Sequence, residues 1–373
     1  MGIQLPPHNR YHRAEAKLAY VEAEPYLWRG WLLTLLVCVG IMSGIYGASA
    51  FAQPATTATN TGQDLAAKNG QQLLALMNAA FTDLAYDGEF NYFSGDELAS
   101  LRVVHKVVDG VARERLVHLN GAPREIIRHG DQVDCYVLPG DDLLSLEDSI
   151  PSGPFARAFV REFERLSTSY VVEKYGEGRV AGRAAIRIAV KPKDEHRYGY
   201  RLWLDRENAL LLRSELIDAN GANLEIFQFS RIVFGDQVDD AALMVSPISQ
   251  SKVNHLRLAF KGRQEVRETN SHQAQWQTNW LPQGYKMAMA DIKTKPNHAV
   301  TNLMYSDGLA AFSIFVEPMP KTGAASMVSQ RGATVALNHA VQQNQQSFLV
   351  TLVGEIPVAT AHKIIESVSL LPN

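Results

Sequence analysis

The sequence predicts an α+β fold built on a large, strongly curved antiparallel sheet, and three observations lead there. The run from Tyr198 to Gly235 reads as three consecutive strands with both turns spelled out. Before it comes a series of short apolar strands about ten residues apart, punctuated by Asp109-Gly110, Asn120-Gly121 and Pro139-Gly140. Two helical stripes accompany them, Leu73/Met77/Ala80/Phe81/Leu84 and Phe155/Phe159/Phe163/Leu166, with the spacing that gives a helix one apolar side.

The central hairpins carry most of the inference. Tyr198, Tyr200, Leu202 and Leu204 alternate along one strand, Asp205 to Asn208 supply turn residues, and Leu210 to Ile217 return as the second strand. Asn220-Gly221 tolerates the positive φ of a tight turn, so Leu224 to Val233 pairs directly with that second strand. Simple alternation puts Glu225, Phe227 and Phe229 on one side of this third strand and Leu224, Ile226 and Ile232 on the other. Both sides carry apolar groups, whereas a sheet with one wet face alternates more cleanly. The sheet is therefore expected to curl and to be covered on its concave side by a helix or an apolar ligand. Phe90, Tyr92, Trp203, Leu212 and Phe227 are the candidates to line such a hollow, with ordinary core as the competing reading.

Taken in order, residues 1–52 read as an n-region and export signal. Trp31 to Ala52 form a nearly uncharged apolar run, and Ala48-Ser49-Ala50 and Ala50-Phe51-Ala52 both fit an A-x-A cleavage site. An uncleaved inner-membrane anchor is the alternative, because such a run is long enough to span a bilayer. Glu15, Glu22 and Glu24 make the preceding segment too acidic for a usual n-region, which leaves open a start further down, near Leu27. Residues 53–69, rich in Thr, Ala and Gln, form a flexible leader. The larger domain spans 70–245. It holds the first helix, strands at Gly88 to Phe93, Leu98 to Val108, Val111 to Leu119, Glu125 to His129 and Val133 to Leu138, the second helix, and then Tyr170 to Tyr175, Arg183 to Lys191 and the hairpins. Residues 246–271 lose periodicity and read as a linker, in which Val253 to Phe260 can add an edge strand. The smaller α+β domain, 272–373, has strands at Thr301 to Ser306 and Ala310 to Glu317 around Asp307-Gly308. It continues with a strand at Ser347 to Val353 and a closing helix from Val358 to Leu370.

Composition excludes several functions. A net charge of -3, with 46% hydrophobic and 20% charged residues, gives no polyanion-binding surface, so nucleic acid is not an expected partner. The chain has two cysteines, and once the export signal is removed Cys135 alone remains, which precludes an internal disulfide. Cys38 is not in a lipoprotein setting, since Val37 is bulky where a small residue is needed. There is no G-x-S-x-G elbow, no phosphate-cradling loop, no H-E-x-x-H and no metal-binding cysteine pair. Asp141-Asp142 and Tyr305-Ser306-Asp307-Gly308 read as turn chemistry. The expectation is a protein that is not an enzyme and has neither cofactor nor metal.

Several blocks carry a family resemblance. YRLWLD at 200–205, ALLLRSELIDANG at 209–221 and LEIFQFSRI at 224–232, with MYSDGLAAFSIFVE at 304–317 and LVGEIP at 352–357, resemble the RseB/MucB proteins in the same order. Those are periplasmic negative regulators of the sigma-E type envelope-stress sigma factor. The resemblance leaves out residues 1–30. It implies a LolA/LolB-like unclosed β-barrel whose apolar hollow takes acyl chains, followed by the small domain. It also implies periplasmic location and a partner, the periplasmic domain of an RseA/MucA-like anti-sigma factor, shielded from proteolysis until a lipid or lipopolysaccharide fragment releases it. Homo-oligomers are compatible with it. Tyr305, Asp307 and Gly308 are the partner-binding candidates. A periplasmic lipid or lipoprotein carrier of LolA/LolB type is the alternative.

Overall fold

The computed structural model of the chain describes residues 65–137, 166, 168–246, 254–259, 275–294, 298–319 and 327–371. The export signal, Cys38, most of the leader and all of the second expected helix except Leu166 and 168–169 lie outside these residues.

Helix α1, Gly70–Asp83, begins where Asn69 and Gln72 exchange side chain-to-backbone hydrogen bonds of 2.9 and 3.0 Å, a capping box that satisfies two otherwise unpaired helix N–H groups. Leu73, Leu74, Met77, Ala80 and Phe81 form its buried side. Ten strands follow: β1 Tyr86–Ser94, β2 Glu97–Val108, β3 Val111–His118, β4 Arg124–His129, β5 Gln132–Val137, β6 Tyr170–Val180, β7 Arg183–Pro192, β8 Gly199–Asp205, β9 Leu211–Ile217 and β10 Asn223–Phe234. With β11, Asn254–Ala259, they make one eleven-stranded sheet in the order β11-β5-β4-β3-β2-β1-β10-β9-β8-β7-β6. Two antiparallel meanders, β1–β5 and β6–β10, are thus joined where β1 pairs with β10. α1 contributes to the same core as both meanders, which is what curvature around a helix produces.

Two details depart from simple alternation. Glu89 pairs with Arg231 but Phe90 with Phe229, so Ser230 is an extra residue in β10, tied by its hydroxyl to the Glu89 carbonyl at 3.1 Å. The bulge moves Ile232 to the core side together with Phe229, correcting the sides expected from sequence. β11 lies within the segment read as a linker and pairs with β5, as the edge strand foreseen there.

The second sheet has six antiparallel strands in the order β13-β14-β15-β18-β17-β16. They are β13 Lys286–Thr294, β14 Ala299–Ser306, β15 Ala311–Pro318, β16 Val328–Arg331, β17 Thr334–Gln343 and β18 Gln346–Gly354. Helix α2, Val358–Ile365, buries Ala361, Ile364 and Ile365 in this sheet's core. It ends earlier than its apolar pattern suggests. Ser367 donates its hydroxyl to the Ile364 carbonyl at 2.7 Å, and β19, Val368–Leu370, pairs with β12, Trp276–Thr278. Leu370 therefore faces a strand partner instead of closing a helix, and Trp276 is buried by the arrangement.

Candidate functional site

The core-facing side of the large sheet carries an aromatic patch. Phe90, Phe227 and Phe229 form a triangle with ring centroids 4.9 to 5.7 Å apart, in the edge-on and tilted arrangements that aromatic quadrupoles favour. Phe229 is buried, while Phe90 and Phe227 are half-buried, so the patch grades from core toward an accessible surface. Tyr92 sits opposite Phe227 in the strand register and donates its hydroxyl to Glu225 at 2.6 Å. Leu212 is fully buried in core.

Trp203 is elsewhere. Leu202 and Leu204 turn inward, which sends the indole to the opposite side, level with Arg187 and Arg213 on the neighbouring strands. The two guanidiniums lie 5.3 and 5.1 Å from its ring, a double cation–π stack. Gly178 makes room for it, since a Cβ there would meet the ring at 2.9 Å. Trp203 is accordingly removed from the set of hollow-lining residues: the strand's period of two, not its hydrophobicity, decides where it points.

The two sheets meet along a seam of charged and aromatic groups. Arg197, on the β7–β8 connection, forms an ion pair at 2.5 Å with Asp307 of the β14–β15 turn, and neither side chain touches solvent. The same guanidinium donates to Asp194 at 2.8 and 2.9 Å and to the Gln283 carbonyl at 2.6 Å. Its face lies over the rings of Tyr170 and Tyr285, 5.5 and 5.0 Å away. Tyr170 donates its hydroxyl to Asp307 at 3.1 Å, and Asp307 also accepts the Leu309 and Ala310 N–H groups at 2.9 and 2.8 Å. A rigid fork of five donors serves this many acceptors where a lysine could not. Nearby, Tyr198 donates to the Ile356 carbonyl at 3.1 Å, and His196 Nδ1 lies 3.1 Å from Thr360 Oγ1.

A second contact is made by the β16–β17 turn. Ala333 is fully buried and belongs to the core of the large sheet, as does Leu309. The Ala333 N–H donates to Glu225 at 3.2 Å, on a carboxylate that also accepts from Tyr92 and, at 3.3 Å, from Ser94. Gly332 has φ +54°, and a Cβ on it would strike Ser94 and Glu225, so the turn needs glycine for conformation and for room. Burial pushes the Glu225 carboxyl up in spite of these hydrogen bonds. Glu355, just past β18, is pushed well up by burial and then by the Glu225 charge.

Three comparisons bear on this geometry. A profile of the MucB/RseB N-terminal domain matches residues 69–247, and one of the MucB/RseB C-terminal domain matches residues 270–369. The chain belongs to the MucB/RseB family. Among its relatives, the sigma factor AlgU regulatory protein MucB of Pseudomonas aeruginosa is 32% identical over 289 residues, covering 76% of this chain and 85% of that protein. The sigma-E factor regulatory protein RseB of Escherichia coli K12 is 30% identical over 304 residues, 79% of this chain and 89% of that one. A crystal structure of MucB in complex with MucA(peri) aligns with a TM-score of 0.67 at 29% identity, covering 82% of this chain and all of that one. A crystal structure of MucB aligns with a TM-score of 0.54 at 27% identity, over 81% and 98% of the two chains.

Within this MucB/RseB chain the expected partner-binding residues are not a displayed surface. Tyr305 is buried, stacked on Phe312 with ring centroids 5.2 Å apart and accepting a hydrogen bond from the Thr278 hydroxyl at 3.2 Å. Asp307 is buried in the seam, and Gly308, φ +98°, is the half-buried turn residue that lets Asp307 point there. The correction has a simple cause: a carboxylate in a turn is usually solvated, and nothing local in the sequence announces the arginine 110 positions away that covers it. Arg197, Tyr170, Glu225 and Glu355 were missed for the same reason. The available signal was weak. Asp194 and Arg197, three apart, pair with each other as a local motif.

Proposed function

We propose that this chain is a non-enzymatic periplasmic regulator that binds the periplasmic segment of an RseA/MucA-type anti-sigma factor. It shields that segment from regulated proteolysis and so keeps the envelope-stress sigma factor inactive. The observation that carries this reading is the match, over 82% of this chain and the whole of the other, to MucB solved in complex with MucA(peri). The two-sheet build supports it. A disordered segment offsets its ordering entropy only by burying a long surface, and two units held by a fixed seam offer one. Here Tyr305, Asp307 and Gly308 act indirectly, by fixing the seam.

The large sheet is read as a LolA/LolB-like unclosed barrel covering 70–260, since β11 belongs to it, with the smaller domain following. Phe90, Tyr92 and Phe227 would line its accessible apolar side, and Leu212 belongs to the buried core they pack against. An acyl chain of a lipid or lipopolysaccharide fragment would enter there and release the partner. It can do so only by preferring an arrangement in which the partner binds less well, because equal affinity for both shifts nothing.

Protease protection tests the central part. The periplasmic segment of an RseA/MucA-type anti-sigma factor, exposed to its DegS-like first protease, should be cut more slowly as the chain is added, with saturation near equimolar ratio. Cleavage at an unchanged rate at saturating chain would overturn the reading.

A further inference from the structure

The outer side of the large sheet carries a stack that the function above does not use. Tyr175 is an extra residue in β6, because Lys174 pairs with Ile188 and Gly176 with Arg187. Arg187, on the strand between, has the Tyr175 ring 4.3 Å and the Trp203 ring 5.3 Å from its guanidinium carbon. The Trp203 indole leans back across β7 onto β6. A Cβ on Gly178 would lie 3.0 Å from its Nε1 and 3.4 Å from Arg187 Cδ, so the indole N–H and the Arg187 side chain border one glycine notch. Tyr175, Arg187 and Trp203 are all half-buried. The surrounding acids are engaged elsewhere: Asp205 and Glu207 with Arg183, Glu215 with Arg201 and Arg213, Glu177 with Arg206, and Glu173 with Lys191. Among the described residues Arg187 has no carboxylate and the Trp203 N–H no acceptor. Arg187 Nε and the Tyr175 hydroxyl are covered and make no hydrogen bond. The fold leaves two polar groups unpaired to keep this guanidinium against rings, and such groups in a native structure call for a reason.

We propose that the notch at Gly178 binds a phosphate group, held by the Arg187 guanidinium and the Trp203 indole N–H. A guanidinium whose faces lie against rings offers its donors only along its edge, the geometry that takes two oxygens at once. The rings fix that edge in advance, so little side-chain freedom is lost on binding. The indole N–H reaches the notch from the next strand and not from the plane of the guanidinium. A tetrahedral phosphate has oxygens left for it, whereas a flat carboxylate is used up by the guanidinium fork. Glycine at 178 keeps the notch open, since any side chain there would strike the indole. The site lies on the opposite side of the sheet from the aromatic patch, and it does not depend on the partner reading. Its chemistry is shared by the free ion and by a phosphate monoester.

Fluorine resonance on the full chain tests it, with its five tryptophans replaced by fluorotryptophan and the Trp203 signal identified by its loss in Trp203→Phe. Inorganic phosphate should move that signal saturably and leave the remaining tryptophans in place, while chloride at the same ionic strength does not. Calorimetry then gives the affinities of the variants. Arg187→Lys keeps the charge but not the fork, and Trp203→Phe keeps a ring but not the N–H; each should bind phosphate about tenfold more weakly or worse, the loss expected for a hydrogen bond to a charged group. Neither change removes a hydrogen bond made within the described fold, and a melting curve confirms that each folds. Glycerol phosphate is the second probe: tighter binding than inorganic phosphate assigns the site to a monoester, weaker binding to the free ion. A Trp203 signal that moves no further with phosphate than with chloride, acetate bound as tightly as phosphate, or unchanged affinity in both variants would overturn the proposal.

Discussion

Arg197 and Asp307 hold opposite charges in a place no water reaches, and that sets what each substitution does. Burying an ion pair gains little net free energy, because desolvation offsets most of the attraction, but leaving one member alone is severe. Arg197→Ala should therefore lower unfolding free energy by about 3–5 kcal/mol in urea titrations. The double change Arg197→Met with Asp307→Leu should recover a large part of that loss, since apolar replacements remove the stranded charge. Burial of the arginine by itself would lower its pKa, yet Asp194, Asp307 and the two tyrosines hold it above its ordinary value. A loss below about 1 kcal/mol for the single variant, the range of a surface pair, would show that the seam is wet.

At the level of elements, the β16–β17 turn is the sharpest case. Gly332→Val introduces a side chain at φ +54° and places its Cβ against Ser94 and Glu225. The variant should lower the melting temperature and broaden the transition, as the smaller sheet loosens before the larger one melts. A single sharp transition at the wild-type temperature would contradict this. Most of the strands were legible in the sequence, because Asp-Gly and Asn-Gly turns and period-two alternation are local signals. β16 and β17 were passed over, although Val335 and Leu337 alternate on the buried side, because their flanks are rich in Gln and Asn and lack a hairpin dipeptide. α2 was read too long because apolar Val368 and Leu370 continue its stripe, whereas their partner is Trp276 and its neighbours, some ninety positions earlier. The bulge at Ser230 was not legible at all: one extra residue reverses every later side, and only pairing with β1 reveals it.

For the whole molecule, the aromatic patch was partly legible, since Phe90, Tyr92 and Phe227 stand on one side of adjacent strands, while Trp203 required knowing the side. The seam was not legible, because the contacts that join its two sides, such as Arg197 to Asp307 and Ala333 to Glu225, link residues more than a hundred positions apart. That seam is what makes two small cores act as one body: Leu309 and Ala333 of the smaller part complete the core of the larger. The central claim is that both parts grip the partner. It is tested most directly by titrating a labelled periplasmic segment of an RseA/MucA-type anti-sigma factor, by fluorescence anisotropy, with the intact chain and with a version ending after residue 260. Cutting there keeps β11 on the large sheet. Saturable binding by the intact chain, weakened by at least about tenfold, or 1.4 kcal/mol, in the shortened one, is the predicted result. Equal affinity for the two, or no binding by the intact chain, would contradict the account.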